Sequence, residues 1–510
     1  MNGTRVNARL IASAVGLLLG LSACATDRVA PPDESAQPAE PVEERPPEVR
    51  VGLLLPLSGP AEALGRDMLD AAQMALFDVG ENKLMLLPRD TAGTPAGARR
   101  AAAEVIEEGA EVILGPLFAP AVAAVSPLAA QADIRVLAFS NDASVATDGT
   151  FLLGFRPEEQ VRRVVEYALA NGALVRAAPE RPGLGAAAPD APLEGLPNLD
   201  QPNLDQPGVD QRTLGQPRLD QRAFDARPPR IAGLAPNDAY GATALEALRR
   251  AVVEGGGVLG ETLFYLPDFA DPSAVVRRIA AYDERAADLD AERVRLGQSA
   301  DPEAERKLRA LETLDTLGGP PFEAILLADG GDSLRSVAAL LTFFDVDPAT
   351  TRFLGTMRWQ ADPRVLAEAA LQGGWFAAPA PDDLSAFESR FRSTFGRSPQ
   401  QLAALAYDAT ALAVVVARDL GDRSFGTDTL INAQGFAGAN GLFRLRPNGL
   451  AEHGLAVLEV SGGAARMIDP PPASFVDELA ELRQAGLPQA VLSASRSTSQ
   501  GAAAMPGRDG

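Results

Sequence analysis

The sequence predicts an α/β protein built from two Rossmann-like lobes joined by a hinge. Three observations carry this. From Arg50 to Gly115 the chain runs strand, helix, strand, helix, strand, the alternation that builds parallel sheets with right-handed crossovers. A low-complexity insert interrupts the alternation, which resumes at Arg230, so two such series lie on either side of it. The length of 510 residues, with 46% hydrophobic content, suggests two or three domains with sizeable cores.

In chain order, the first element is a targeting segment at residues 1–23. Arg5 and Arg9 give a basic start, and Leu10 to Leu21 form an apolar core too short to span a membrane as a mature helix. It closes on Leu21-Ser22-Ala23-Cys24, which resembles a bacterial lipobox. That resemblance implies lipidation of Cys24; an ordinary secretory signal is the other reading. Several acyl chains would anchor the protein firmly. Ala25, not Asp, follows the cysteine. By resemblance to enterobacterial lipoproteins this implies the periplasmic side of the outer membrane, with the inner membrane as the alternative. Residues 24–48, rich in Pro and Glu, form a disordered tether.

The folded body opens with Val51-Gly52-Leu53-Leu54-Leu55, a continuous apolar run expected of a strand covered on both faces. Glu62 to Val79 follows helical spacing, with Leu64, Met68, Ala71, Ala72, Ala75 and Leu76 on one stripe. Lys83 to Pro88 is the second strand. Thr94 caps a helix that has Pro95 in its first position and ends at Gly109. Strands at Glu111 to Gly115 and Ile134 to Phe139 flank a helix from Phe118 to Ala132. Phe151 to Phe155 crosses between lobes, and Pro157 to Asn171 is helical with Val161, Val164, Val165 and Ala168 inward.

The insert at residues 178–229 repeats a five-residue unit, as in Pro197-Asn198-Leu199-Asp200-Gln201 and Pro202-Asn203-Leu204-Asp205-Gln206. It is either a pentapeptide β-coil or a disordered loop; short, proline-interrupted copies favour the loop. The second series has strands at Arg230 to Leu234, Gly257 to Tyr265, Glu323 to Leu327, Arg352 to Trp359 and Gly374 to Ala377. A charged helical insert spans residues 281–317, a solvated hairpin or a partner-docking arm, with pairs such as Glu303 and Lys307 one turn apart. Helices follow at Asp382 to Phe395 and Pro399 to Leu420. Gly441 to Arg446 and Leu455 to Val460 are expected to pair as a hairpin around Pro447-Asn448-Gly449. Lobe 1 is thus residues 49–152 and 379–436, lobe 2 residues 153–378 and 437–471, and residues 476–510 a largely disordered tail.

Composition narrows the chemistry. A net charge of −22 argues against nucleic acid. With His453 and Cys24 the only residues of their types, a Cys/His zinc site is excluded. A serine triad would have to use His453, which is expected to be an exposed turn residue. Neither series carries Gly-x-Gly-x-x-Gly or a Walker A sequence. No cofactor is expected, and nothing pairs two carboxylates for catalysis, so the protein is not expected to be an enzyme.

Several motifs then carry a resemblance. Gly52-Leu53-Leu54-Leu55-Pro56-Leu57-Ser58-Gly59, Gly65, Gly115-Pro116, Asn237-Asp238-Ala239-Tyr240-Gly241 and Ala406-Tyr407-Asp408-Ala409 resemble the type I periplasmic-binding-protein fold of the leucine-binding group. A closer likeness is to penicillin-binding-protein activator lipoproteins. It rests on Gly115-Pro116-Leu117, Val136-Leu137-Ala138-Phe139-Ser140-Asn141, Asp315-Thr316-Leu317, Gly373-Gly374-Trp375-Phe376-Ala377-Ala378-Pro379, Gly435-Phe436-Ala437-Gly438 and Gly454-Leu455-Ala456-Val457-Leu458-Glu459-Val460. It implies a lipoprotein that binds and activates a bifunctional peptidoglycan synthase without being an enzyme. The alternative is an ABC-transporter receptor for an amino acid or related small polar solute. In parallel sheets a ligand sits beyond the strands' carboxyl ends. The cleft candidates are therefore Ser58, Gly59, Ser140 and Asn141 from the first lobe, faced by Tyr240, Asp329 and Trp359 from the second. By the resemblance, hydroxyl residues would hold the solute after Gly115-Pro116 and after the fourth strand. Ser140 fits the second position, but the first reads Phe118-Ala119-Pro120-Ala121.

Overall fold

A computed structural model of the chain describes residues 49–79, 84–170, 174, 227–266, 271–419 and 425–475. The signal segment with Cys24, the tether, the pentad repeat as far as Ala226 and the tail lie outside the described residues.

The first lobe contains β1 (Val49–Leu55), α1 (Glu62–Val79), β2 (Leu84–Asp90), α2 (Pro95–Glu107), β3 (Val112–Leu114), α3 (Ala119–Gln131), β4 (Arg135–Ala138) and β5 (Thr150–Leu152). Its strands lie in the order β2-β1-β3-β4-β5, every neighbour parallel. The apolar run of β1 works as its composition demands. Val51, Leu53 and Leu55 enter one core and Leu54 the core on the opposite face, all fully buried. Each such side chain contributes about 1.5–3 kcal/mol by leaving water.

The second lobe adds α4 (Pro157–Leu169), β6 (Arg230–Pro236), α5 (Ala239–Glu254), β7 (Val258–Tyr265), α6 (Ser273–Ile279), α7 (Tyr282–Gly297), α8 (Pro302–Leu311), β8 (Ala324–Leu327), α9 (Gly331–Phe343), β9 (Arg352–Thr356) and β10 (Trp375–Ala378). α10 (Pro381–Phe395) and α11 (Ala403–Asp419) return to the first lobe, where Phe387, Phe391, Ala403 and Ala404 pack on Ala71 and Met74 of α1. The chain ends in β11 (Phe436–Gly438), β12 (Gly441–Leu445), β13 (Ala451–His453), β14 (Ala456–Ser461) and β15 (Ala464–Asp469). The second sheet runs β15-β14-β10-β9-β8-β6-β7, with β14 and β15 as an antiparallel extension. Its parallel part, β7-β6-β8-β9-β10, repeats the strand order of the first lobe.

The two lobes also share a packing device. A Cβ on Gly65 would lie 2.1 Å from the Pro56 carbonyl oxygen, and one on Gly241 would lie 2.0 Å from that of Pro236. In each lobe a helix therefore starts directly against the end of the first strand, and only glycine permits that approach. Both cleft-facing walls are built from strand ends and helix starts for this reason.

Three features depart from the sequence-based expectations. β12 pairs with β13, while β14 pairs with β10 and β15. The Pro447-Asn448-Gly449 turn is tight, with Gly449 at φ +76° and its N–H on the Arg446 carbonyl at 3.0 Å. Such a turn pairs the residues immediately after it, so Leu455 onward is released to the second sheet. Residues 437–471 consequently divide. β11, β12 and β13 form a small third sheet at the crossover between the lobes, tied to β5 where the Leu152 N–H donates to the Gly449 carbonyl at 2.8 Å. β15, not anticipated, closes the sheet edge. Finally, His453 is not an exposed turn residue. It is buried, its Nδ1 lies 3.2 Å from Glu159 Oε2, and its ring lies 4.4 Å from that of Phe155.

The helical insert folds as α7 and α8. Leu289, Leu296, Ala304 and Leu311 form its own small core, and Lys307 meets Glu303 at 3.0 Å on its surface.

Candidate functional site

A cavity of about 360 Å³ lies between the carboxyl ends of the two sheets, within the range of small-molecule sites. The first lobe contributes Leu117, Phe118, Phe139, Ser140 and Asn141 from the loops after β3 and β4, Leu64 from α1, Gln401 and Leu402 from the turn before α11, and Leu405 from its first turn. The second contributes Tyr240, Met357, Arg358 and Ala361. Gly154, Phe155 and Gln160, at the first crossing between lobes, complete it.

Local chemistry fixes each wall. Asp67 on α1 is buried, pairs with Arg397, and accepts a 2.8 Å hydrogen bond from the Gln400 N–H. That anchor places Gln401 and Leu402 at the cleft. On the first-lobe side, Ser140 Oγ accepts from the Asp142 N–H at 3.2 Å, which leaves its own proton free to donate. Gly154 lets the crossing strand run against the Ser140 backbone, since a Cβ there would come within 2.5 Å of it. Gln160 Oε1 accepts from the Met357 N–H at 2.9 Å, and its Nε2 donates to the Arg156 carbonyl at 3.2 Å. It thereby couples the crossing to the loop after β9.

Tyr240 sits in the first turn of α5, positioned by Asp238, whose carboxylate accepts from the Gly241 N–H at 2.7 Å. Its hydroxyl donates to Thr356 Oγ1 at 2.9 Å, and burial raises its pKa. The Arg358 guanidinium lies over the Tyr240 ring, 3.5 Å from the centroid, a cation–π contact. Asp329 is the carboxylate nearest Arg358, at 4.0 Å. Asp329 is already occupied, accepting from Tyr265 Oη at 2.5 Å and the Gly330 N–H at 2.8 Å. Burial first, and then Asp329, push the Tyr265 hydroxyl pKa up.

Of the residues singled out from sequence, Ser140, Asn141 and Tyr240 line this cavity. Ser58 and Gly59 do not. Ser58 Oγ donates to Asp90 at 2.6 Å, and Asp90 also accepts from the Leu57 and Ala92 N–H groups. Burial would raise the Asp90 pKa, but these donors, led by Ser58, outweigh it and hold the carboxyl below its usual value. Ser58 thus shapes its loop. Asp329 stands behind Arg358. Trp359 is a correction: it is fully buried, its Nε1–H donates to the Leu327 carbonyl at 3.2 Å, and its ring packs against Phe376. A large indole one residue past a cleft-edge position was taken into the core, and its neighbour Arg358 faces the cleft instead. Arg358, Gln401 and Phe139 were missed. Arg358 had a signal, being a cation directly after an apolar strand; Gln401 had none, because its place depends on an ion pair between distant segments.

A second cavity, of about 380 Å³, lies where α4, α5 and the β12–β13 turn meet. It is lined by Arg156, Arg162, Arg250 and Arg446 with Glu158, Glu159, Glu254 and Glu452. Arg156 pairs with Glu159, and Arg446 with Glu452 at 2.7 Å. Among the described residues no group of three or more His, Cys, Asp or Glu side chains is arranged to hold a metal ion.

Comparison with known proteins agrees with this architecture. The family model described as periplasmic binding protein matches residues 48–178 and 191–465. A putative branched-chain amino acid ABC transporter protein from Rhodospirillum rubrum superposes with a TM-score of 0.57 at 15% identity, over 82% of this chain and 100% of that one. An ABC transporter substrate-binding protein from Sphaerobacter thermophilus gives 0.54 at 15%, over 84% and 99%. A solute-binding protein from Rhodopseudomonas palustris, solved with 3,4-dihydroxybenzoic acid, gives 0.52 at 15%, over 85% and 99%. An uncharacterised protein of Rickettsia prowazekii is 25% identical over 120 residues, 24% of this chain and 32% of that protein's own length.

Proposed function

We propose that this chain, which belongs to the periplasmic-binding-protein family, is an extracytoplasmic receptor that closes its two lobes on a small solute and presents it to an ABC transporter. The carrying observation is the cleft of about 360 Å³ lined by strand-end loops of both lobes. A ligand touching both lobes favours the closed arrangement by its differential affinity alone. Membrane attachment is assigned to a lipid on Cys24 from the lipobox-like Leu21-Ser22-Ala23-Cys24; among the described residues no helix is long and apolar enough to cross a membrane. The test is a thermal-shift and calorimetric panel of amino acids, organic acids, amines and sugars, followed by small-angle scattering. The expected result is one tight class of ligand and a smaller radius of gyration on binding. A panel without any saturable ligand would sink the reading. Cys24→Ala is expected to release the protein from the membrane fraction with its fold intact.

Activation of a bifunctional peptidoglycan synthase is the second reading, supported by the sequence pieces that resemble activator lipoproteins. Several of those pieces are buried strands: Val136 to Ala138, Trp375 to Ala378 and Leu455 to Leu458 are all no more than 5% exposed. Buried strands specify a fold and cannot touch a partner, so they speak more for the architecture than for the synthase. Glycan polymerisation and crosslinking assays with the synthase, run with and without this protein, decide it. A saturable rise in either activity would establish activation.

A further inference from the structure

The chemistry of the cleft narrows what it can bind, an inference that rests on the solute-receptor reading. Its lining holds one formal charge, that of Arg358, and no carboxylate. Arg358 has only the loose 4.0 Å approach to an Asp329 already engaged by two donors. Two further donors belong to residues that line the same cavity. Ser140 keeps its hydroxyl proton, and Gln401 Nε2 is buried without a hydrogen-bond partner. A buried donor left unpaired costs free energy until an acceptor arrives. Most of the remaining surface is apolar, from Leu117, Phe118, Phe139, Phe155, Met357 and Leu402; of the other polar side chains, Gln160 bonds to Met357 and Arg156, Tyr240 bonds to Thr356, and Asn141 is a neutral amide. Phe118 remains 38% exposed, a large apolar ring open to solvent.

We infer that the cleft takes an apolar monocarboxylate that lacks an ammonium group, an aryl or branched-alkyl acid rather than an amino acid. The carboxylate would accept from Arg358, with Ser140 and Gln401 as the other donors on hand, and the apolar body would lie among the phenylalanines and Met357. The α-ammonium of an amino acid would enter a closed space with no counter-charge, beside a guanidinium of its own sign. An unpaired buried charge is strongly unfavourable. Tyr240 keeps Arg358 in place by stacking beneath it, so it acts as a positioning residue.

The test compares pairs of compounds that differ in one group, by calorimetry on the full chain in detergent. 4-Methylpentanoate and leucine share a skeleton and differ by the ammonium group, as do 3-phenylpropanoate and phenylalanine. The acids are expected to bind about a hundredfold tighter than their amino counterparts. 4-Methylpentanamide tests the charge itself. The preference for acid over amide is expected to collapse in Arg358→Gln and to survive in Arg358→Lys, with unchanged melting temperatures. General damage to the fold would weaken acid and amide together, so the ratio isolates the guanidinium. If leucine matches or exceeds its des-amino analogue, or if amines or sugars bind best, the inference is overturned and the receptor reading stands. If no solute in the wider panel binds, both fall.

Discussion

The two cavities are nearly equal in volume and opposite in chemistry. The cleft between the lobes holds one charge and presents donors in search of an acceptor. The cavity beside α4 and the β12–β13 turn holds four arginines and four glutamates, several of them already paired. Charge count alone would select the second as the binding site. Pairing reverses the choice. Charges of both signs set together neutralise one another even where single atoms, Arg156 Nε and Glu158 Oε2, lack a hydrogen-bond partner, whereas a cation with no carboxylate beside it in the cleft lining calls for an anion. The second cavity is better understood as part of the hinge. Arg156 bonds to Glu159 and to the Ala451 carbonyl, and Glu159 reaches His453, so α4 is bound to the crossover sheet there.

The largest expected effect breaks the scaffold of the cleft. Trp359→Ala should cost about 3–5 kcal/mol, as for other fully buried aromatics, read as a fall in the denaturant midpoint. Trp359→Phe should keep most of the stability and the full ligand affinity, since the indole touches no ligand. Loss of affinity in the phenylalanine variant without loss of stability would return Trp359 to the cleft. At the hinge cavity, Glu159→Ala removes the common partner of Arg156 and His453. Breaking a buried pair costs roughly 3–5 kcal/mol. The lower end is expected here, because the neighbouring cavity admits water to Arg156. Glu159→Gln, which keeps an acceptor for Arg156, should recover part of it.

These residues also show what the sequence could disclose. The alternation of strands and helices, the Thr94 cap and the strand-end position of Ser140 follow from local pattern: apolar runs, caps and strand ends. Trp359 and Arg358 did not, because which of two adjacent side chains turns inward depends on the space beneath β9 and not on their order. The Glu159–His453 pair joins residues 294 positions apart, and the Asp67–Arg397 anchor that sets Gln401 joins residues 330 apart. No periodicity encodes such contacts. The misassigned hairpin has a similar cause: Gly441 to Arg446 can pair with either of two later strands, and the tightness of the turn decides.

Asp408 supplies a pH dependence that separates fold from cleft. It is fully buried on α11 and accepts from Asn440 Nδ2 at 2.8 Å and from the Ala439 and Asn440 N–H groups. Burial dominates and pushes its pKa up to about 6, against 3.8 unperturbed. A carboxyl raised on folding holds its proton more tightly in the native state. Its contribution is therefore fully present below pH 3.8 and lost as pH rises through about 6. The gap corresponds to roughly 3 kcal/mol. Asp408→Asn does not titrate, so its stability relative to the wild type should improve between pH 4 and pH 6 and level off above. Ligand affinity should show no matching change, because Asp408 does not line the cleft. A constant stability difference across this range would assign the dependence elsewhere.

The smallest effect carries the sharpest comparison. Gln401→Glu places in the cleft the one group that distinguishes it from the hinge cavity, a carboxylate. Gln401 is held through its neighbour Gln400 and Asp67, so the backbone has no reason to move, and the stability change should stay below about 1 kcal/mol if the new carboxylate reaches Arg358. Its consequence for binding follows from the same pairing. A satisfied Arg358 is no longer available to a ligand, and an acid should bind about tenfold more weakly, equivalent to ~1.4 kcal/mol. An amine of the same skeleton, 3-methylbutylamine, should gain measurable affinity in return. If the variant weakens both acid and amine, the glutamate has merely filled the cleft; if acid binding is unaltered, Gln401 does not face the ligand.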